Sequence, residues 1–315
     1  MIRTISFVIP CYRSAGSLPQ VVEEICAVMR TERFLTRYTY EIILVCDGSP
    51  DDTFDVIRSL CARHEEITGI DLARNFGQHA AVMAGLRHAK GDCCICLDDD
   101  GQTPASQCGR LLDKLEEGYD AVYAAYAHKK HSGVRNALSR LNAWMARGTL
   151  GKPKGLRTSS YFAVRRFVVD EMIRYQKAYP YLAGLILRTT KSIANVPVDH
   201  ERRHTGKSGY TVSALFGLWM NALTSFSIKP LRIATGAGAF LAGAGFFYGL
   251  WTIVKHLLVD PSQPAGWSSL MSVLLFTGGM ILLMLGLIGE YVGRIYGNIN
   301  DAPQYVVKSV VKKHE

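Results

Sequence analysis

The chain has 315 residues, of which 48% are hydrophobic and 20% are charged, and its formal net charge is +9. This length accommodates one large domain or two ordinary ones. We expect no secretory signal peptide at the N-terminus, because the apolar run after Arg3 ends at Pro10 and such signals need a core of about 7–15 apolar residues.

The eight cysteines all lie within the first 108 residues, and their spacing shows no repeated CxxC pattern. This spacing argues against a disulfide framework. We interpret the cysteines as small buried side chains in a reducing compartment, which places the N-terminal domain in the cytosol.

Strand and helix patterns alternate between residues 4 and 125. The apolar runs are TISFVIP, YEIILVC, ITGIDLA, CCICLD and DAVYAA, and segments with helical spacing separate them. This pattern predicts a mainly parallel α/β sheet, in which ligands bind beyond the carboxyl ends of the strands. The polar residues that directly follow the strands are therefore the candidate site: Tyr12 and Arg13, Asp47 to Ser49, Arg74 and Asn75, and Asp98 to Asp100.

The stretch CCICLDDDGQTP, residues 93–104, places three carboxylates at the end of a predicted buried strand. A metal site on the cysteines is rejected, because at most two of them share one strand face and no histidine is nearby in sequence. The carboxylates of Asp98 to Asp100, with the amide oxygen of Gln102, are hard ligands that suit Mg²⁺ or Mn²⁺. The aspartates also suit a helix N-cap before Pro104, and both interpretations can hold together.

A basic segment follows, with ten Lys or Arg residues and no acid at positions 121–169. This segment predicts an anionic partner, which can be a phosphorylated ligand, lipid headgroups or nucleic acid. The stretch TSSYFAVRRFVVDEM, residues 158–172, closes this segment and runs beyond it, and it predicts a strand leading into a helix.

The C-terminal third contains two long stretches without Asp, Glu, Lys or Arg, at 233–254 and 261–289. We expect transmembrane helices at 233–254 and 267–290, within a membrane segment at 233–291. The alternative is a pair of buried core helices. Residues 210–232 predict an amphipathic helix in the membrane interface rather than a third span, and residues 292–315 predict a basic cytosolic tail.

Several motifs together resemble a known family. VIPCYR, VCDGSPDDT, LARNFGQHAAVMAGLRHAKGD and LDDDGQTP are similar, in order and spacing, to the GT-A glycosyltransferases of family 2. The basic segment, the RHTGKS loop and the two spans resemble the polyisoprenyl-phosphate glycosyltransferases in particular, a group that includes dolichol-phosphate mannose synthase. This resemblance implies a Rossmann-like GT-A catalytic domain at 1–209, followed by the interfacial helix and the hairpin.

The resemblance also implies roles for individual residues. The nucleotide-sugar residues are Pro10, Tyr12, Asp47, Asp98, Asp99, Arg203 and Ser208; the metal ligands are Asp98, Asp100 and Gln102; and the acceptor-phosphate residues are Lys129, Lys130, Arg135 and Ser139. Asp98, Asp100, Arg135 and Arg203 are the residues expected to act in catalysis.

The sequence departs from the family pattern at a few positions. Arg13 replaces an Asn or Glu, Cys46 replaces the first acid of a VDDGS motif, and Asp99 is often Ala. An Arg is absent near Tyr126, where Lys129 or Lys130 can replace it. Ser160 occupies the position of an acid, which leaves the identity of the sugar open.

The implied activity is inverting, metal-dependent transfer from a nucleotide sugar, for which we expect a UDP-sugar, to undecaprenyl or dolichyl phosphate. The product would be a lipid-linked sugar donor for modification of cell-envelope glycans. We expect a homo-oligomeric, multi-pass protein of the inner (plasma) membrane, with the catalytic domain and both termini cytosolic. One alternative is a family 2 enzyme that glycosylates a hydroxyl, which would need a carboxylate base that residues 121–169 do not contain. Another is a membrane-anchored nucleic-acid-binding protein, which the scarcity of aromatic residues in the basic segment argues against.

Overall fold

The computed structural model describes residues 2–126, 153, 155–198, 267–299 and 303–313, with isolated positions between 235 and 251. The chain divides into two units. The first comprises Met1–Leu218 and Asp301–Glu315, and the second comprises Trp219–Asn300.

The first unit is built on an eight-stranded sheet with the strand order β7-β5-β6-β4-β1-β2-β3-β8. The strands are β1 Thr4–Cys11, β2 Thr39–Cys46, β3 Ile67–Leu72, β4 Cys93–Cys96, β5 Ala121–Tyr126, β6 Phe162–Arg165, β7 Ile193–Val198 and β8 Val307–Val311. Only β6 and β8 run antiparallel to their neighbours. The five strands predicted from apolar runs are confirmed as β1 to β5, and the predicted strand leading into a helix is confirmed as β6.

The helices of this unit among its described residues are α1 Leu18–Met29, α2 Glu32–Leu35, α3 Thr53–Arg63, α4 Gln78–His88, α5 Cys108–Glu116, α6 Arg166–Ile173 and α7 Leu182–Thr189. In α1 the buried residues recur every three or four positions, so one apolar face lies on the sheet. Its first turn contains Pro19, which is tolerated there because the first N–H groups of a helix have no internal partner.

The central strand β1 explains why both faces of the sheet are covered. Alternate side chains of β1 point to opposite faces. Phe7 and Ile9 join the core under α1, α3 and α5, whereas Val8 faces α4, where Gly85 lies against it. Strands buried on both faces read as continuous apolar runs, which is why these strands were visible in the sequence. The eight cysteines are all buried and free, as predicted.

The C-terminal segment differs from the predicted basic tail over 292–315. The preceding helix continues to Ile299, and Val307–Val311 then forms β8, which pairs antiparallel with β3 and becomes the edge strand. The segment therefore returns to the first unit and covers the side of β3 that would otherwise present unpaired backbone groups.

The second unit contains α8, Trp267–Ile299, with 33 residues. At about 1.5 Å per residue this helix is about 50 Å long, longer than the roughly 30 Å hydrocarbon core of a bilayer. Its window Phe276–Gly293 is apolar enough to cross a membrane, and it is the one such helix among the described residues. Large apolar side chains along it are exposed, including Phe276, Leu282 and Ile288. The predicted interfacial helix and most of the predicted span 233–254 lie outside the described residues.

The loops after β2 and β3 touch at Gly48. This residue has a φ of 57°, a conformation that favours glycine, and a Cβ atom there would lie 2.2 Å from the carbonyl carbon of Arg74. Replacing its hydrogen would push apart two loops that border the candidate site.

We expect Gly48→Ala to lower the free energy of unfolding by at least about 2 kcal/mol, because it combines backbone strain with overlap against backbone atoms. Thermal or denaturant unfolding of the purified protein measures this. Gly16→Ala is the matched control, since a Cβ there meets nothing within 4 Å. Equal stability of the two variants would contradict the steric argument.

Candidate active site

The carboxyl ends of β1, β2, β3 and β4 meet at one edge of the sheet, because these strands are parallel neighbours. Asp47 directly follows β2 and is buried. Its carboxylate accepts the backbone N–H groups of Phe76 and Gly77 at 2.7 and 2.8 Å. Burial raises the pKa of Asp47, and the two N–H groups offset part of that rise. In this structure Asp47 therefore holds the loop after β3 in place, and its predicted contact with the nucleotide stays a prediction.

Tyr12 and Arg13 form an exposed corner after β1. The Tyr12 ring is 43% exposed, and the Arg13 guanidinium lies 5.6 Å from the ring centre. Arg13 has a φ of 55°, and its N–H donates to Ser49 Oγ at 2.8 Å. An exposed aromatic face at the end of a parallel strand is suited to stacking against a flat base. The predicted contact of Tyr12 with the nucleotide stays a prediction.

Asp98 is held from two sides. Its Oδ1 accepts the Gln78 Nε2–H at 2.7 Å, and its Oδ2 accepts the Ser160 hydroxyl at 2.5 Å. Burial raises the pKa of Asp98 to about 6, and the two donors offset part of the rise. Ser160 stands where the resemblance places an acid. A hydroxyl donates to Asp98, whereas a second carboxylate would repel it.

Asp99 and Asp100 are bonded to different partners. Asp99 accepts the Tyr12 N–H at 3.0 Å, and burial raises the pKa of its carboxyl. Asp100 Oδ1 accepts the N–H of Gln102 at 3.0 Å across a turn in which Gly101 has a φ of 71°. The aspartates do not cap the next helix, because the 3₁₀ turn begins after Pro104 and α5 begins after Gln107.

The acidic turn fits a divalent metal by the chemistry of its donors. Asp98, Asp100 and Gln102 supply carboxylate and amide oxygens, which are the ligands that Mg²⁺ and Mn²⁺ prefer. Carboxylates crowded at one strand end also gain most from a cation, because a positive charge removes their mutual repulsion.

A cavity of about 310 Å³ lies beside Asp98. This volume is at the lower end of the range of about 300–1,000 Å³ that is typical of small-molecule sites, which suits a single sugar ring. Its lining residues are Pro10, Gln78, His79, Val82, Cys96, Leu97, Asp98, Tyr123, Thr158, Ser159, Ser160, Phe162, Tyr181, Leu182 and Ala183. The cavity therefore joins the predicted residues Pro10 and Asp98 to a wall made by α4, β5, β6 and the start of α7.

His79 adds no positive charge to this wall near neutral pH. Burial lowers the pKa of His79 to about 4, and its ring packs edge-on against Tyr181 at 5.8 Å between centroids. Asp98 is thus the one acid, and no Lys or Arg is present, among the described residues that line the cavity.

Several lining residues were missed by the sequence analysis, notably Gln78, His79, Tyr123 and Tyr181. Gln78 and His79 open α4 after the loop that follows β3, so the rule that ligands bind beyond strand ends could have found them. Tyr181 follows a segment with no strand signal, and nothing in its local sequence indicates a site. The predicted residues Lys129, Lys130, Arg135, Ser139, Arg203 and Ser208 lie outside the described part of the chain, and their roles stay predictions.

Comparison with known proteins agrees with this geometry. Residues 6–173 match the family described as Glycosyl transferase family 2, and residues 229–295 match the GtrB C-terminal hairpin. The undecaprenyl-phosphate 4-deoxy-4-formamido-L-arabinose transferase of Klebsiella pneumoniae (strain 342) is 32% identical over 100% of this chain and 95% of its own length. The protein of the same name from Yersinia enterocolitica is 33% identical, over 98% of this chain and 94% of its own.

Solved structures share the fold at low sequence identity. Glucosyl-3-phosphoglycerate synthase from Mycobacterium tuberculosis, in complex with Mn²⁺ and UDP-glucose, matches with a TM-score of 0.53 and 19% identity over 70% of this chain and 77% of its own. Mannosyl-3-phosphoglycerate synthase from Rubrobacter xylanophilus matches with a TM-score of 0.51 and 19% identity, over 70% and 72%. From the family match, the nearly full-length relatives and the shared GT-A fold, we conclude that the chain is a glycosyltransferase of family 2.

Proposed function

We propose that this enzyme transfers a sugar from a nucleotide sugar to a polyisoprenyl phosphate at the cytosolic face of the membrane. The observation that carries the proposal is the acidic turn at Asp98–Asp100 beside a cavity sized for one sugar ring. The nearly full-length relatives support the acceptor, since their names specify undecaprenyl phosphate. The product would be a lipid-linked sugar for cell-envelope glycans.

We infer that the donor is a UDP-sugar whose ring occupies the cavity. The exposed Tyr12 ring suits the base, and Asp98 and Ser160, which line the cavity together, are our candidates for contact with the sugar. The structural neighbour bound to UDP-glucose supports the same class of donor. Because the described lining offers no cation for a sugar carboxylate, we favour a sugar without an acidic group.

The cofactor in this proposal is Mg²⁺ or Mn²⁺, held by Asp100 and Gln102 with Asp98 nearby. When bound, the ion would stabilise charge developing on the leaving diphosphate. The neighbour's Mn²⁺ supports a divalent ion in this fold. The protein's own task is to orient the donor so that the anomeric carbon faces the acceptor, and a single displacement there inverts the configuration.

A phosphate acceptor explains the absence of an acid from residues 121–169. A phosphate monoester has a second pKa of about 6, so it is already an oxyanion near neutral pH and needs no strong protein base. It does need cations to offset repulsion from the donor diphosphate. In our proposal, Lys129, Lys130, Arg135 and Arg203 supply them, with Ser139 and Ser208 as hydrogen-bond donors.

We propose that the hairpin spans the membrane and that both termini are cytosolic. α8 exposes apolar side chains along its length, and the hairpin family covers residues 229–295. β7 and β8 belong to one sheet, so both strands must lie on the same side of the membrane. Each time the chain between them crosses the membrane, it must therefore cross back. The number of crossings is therefore even. Free, buried cysteines support a reducing compartment for the domain.

Acceptor specificity tests the proposed function directly. In membranes given a panel of labelled UDP-sugars, we expect transfer to undecaprenyl or dolichyl phosphate and none to the free polyprenol, because only the phosphate is ionised at neutral pH. Extraction of the labelled lipid measures this. Transfer to free polyprenol at a similar rate would favour the hydroxyl-glycosylating alternative.

Asp100→Ala should lower transfer by at least about a hundredfold, because it removes a carboxylate from the proposed metal site and leaves charge on the diphosphate uncompensated. Titration of activity with Mn²⁺ after chelation measures the effect. Asp55→Ala is the control, since Asp55 forms an exposed ion pair with Arg58 on α3. Full wild-type activity in the presence of a chelator would argue against a metal.

A reporter fused to the C-terminus should read as cytosolic, because β8 completes the sheet of the cytosolic domain. An enzyme such as alkaline phosphatase, active only after export, should be inactive in this fusion and active when inserted at 255–264, between the two predicted spans. The reverse pattern would contradict the proposed cytosolic orientation of the catalytic domain and of both termini.

A further inference from the structure

The chain re-enters the catalytic domain just before β8, and Gln304 makes the first strong contact. Its side chain is buried, with 6% of the residue exposed. The side-chain nitrogen donates to the backbone carbonyls of Tyr175 and Lys177, at 3.1 and 2.9 Å. Both hydrogens of the amide are thereby used.

The two carbonyls belong to the connection between α6 and α7, residues 174–181, which contains no helix or strand. Backbone carbonyl groups in such a segment have no regular helix or sheet hydrogen bonds, so they need hydrogen-bond donors from other parts of the chain. The residues that follow are Tyr181, Leu182 and Ala183, which form one wall of the cavity. Gln304 thus fixes the backbone that leads directly into the cavity wall.

The same C-terminal segment also forms a hydrogen bond to the loop after β3. The carbonyl of Val306 accepts the N–H of Ala73 at 2.9 Å. Ala73 begins the loop after β3, and that loop also donates Phe76 N–H and Gly77 N–H to Asp47. Gln304 and Val306 therefore bind the loops that precede α7 and α4, and both of these helices contribute residues to the cavity lining.

Attachment of β8 to the sheet does not require Gln304. The strand already has its backbone pairing with β3, and Lys313 forms an ion pair with Glu65 at 2.9 Å near its other end. The Gln304 side chain instead contacts the connection between α6 and α7. A residue used only to cover the sheet edge would not reach that connection.

We propose that Gln304 is a positioning residue for the donor site, which sets the wall formed by Tyr181, Leu182 and Ala183. The segment after the membrane hairpin thereby shapes the pocket that receives the sugar. This inference rests on the proposed function, in which the cavity holds the sugar of a UDP-sugar.

The test compares affinities for UDP-glucose or UDP-L-arabinose, whichever the wild type binds more tightly, and for UDP, which has no sugar. In the full-length protein, Gln304→Met keeps the length of the side chain and removes both N–H groups. We expect the affinity for the UDP-sugar to fall about five- to tenfold and that for UDP to change less than about twofold, as loss of one or two hydrogen bonds predicts. The KM for undecaprenyl phosphate should stay unchanged. Gln304→Asn, which keeps the amide on a shorter side chain, should recover part of the loss.

Lys313→Ala is the matched control, because it weakens the same segment at a point far from the cavity in sequence and in contacts. Hydrogen exchange at residues 178–183 should rise in Gln304→Met and not in Lys313→Ala. If Gln304→Met does not fold, the same comparison is made with Gln304→Asn. Equal losses for UDP and UDP-sugar, or the same pattern in Lys313→Ala, would overturn the inference. A wild type that binds the UDP-sugar but transfers it to no lipid phosphate would contradict the proposed function alone.

Discussion

Three consecutive residues just after β4 carry carboxylates, and each ionised carboxylate raises the free energy of ionising its neighbours. The structure offsets this repulsion with donors from different parts of the chain. Asp98 accepts hydrogen bonds from Gln78 on α4 and from Ser160 in the segment before β6. Asp99 accepts one from the Tyr12 N–H, and Asp100 accepts one from an N–H of its own turn. Strand pairing delivers two of these donors, because β1 beside β4 brings the Tyr12 N–H and β6 on the other side of β4 brings Ser160. The remaining unfavourable charge is what a divalent cation would relieve.

The predictable part of the fold is the part that is buried on both faces. β1 to β4 each occupy an interior position in the sheet, so their sequences are continuous apolar runs that identify them without structural data. β7, IANVPV, is half-exposed, contains a proline and lies at the edge, so its local pattern is weak. β8 pairs with a strand more than 200 residues earlier in the chain, and no local signal specifies such a partner. The extent of the catalytic domain was therefore underestimated at its C-terminal end.

The candidate site likewise has one part that local sequence patterns predict and another part that they do not. Asp47 and Asp98 were found because they directly follow apolar strands, where parallel sheets place their ligands. Most of the opposite wall could not be found in this way, since its residues on β5, β6 and α7 reach the site only through tertiary packing. Tyr123, on β5, shows this most clearly. Its buried hydroxyl has no hydrogen-bond partner in the described structure, which is costly to stability and is expected mainly at functional sites.

The return of the chain to form β8 has a consequence for biosynthesis. The edge of β3 is complete only after the ribosome has made the hairpin and the residues beyond it, at about 5–20 residues per second. During that interval the nascent domain has an open sheet edge, which other chains or chaperones can contact. In the proposed topology, the hairpin is synthesised and available to the bilayer before the sheet can close. A newly made enzyme would complete its catalytic domain only once residues 219–300 have been synthesised.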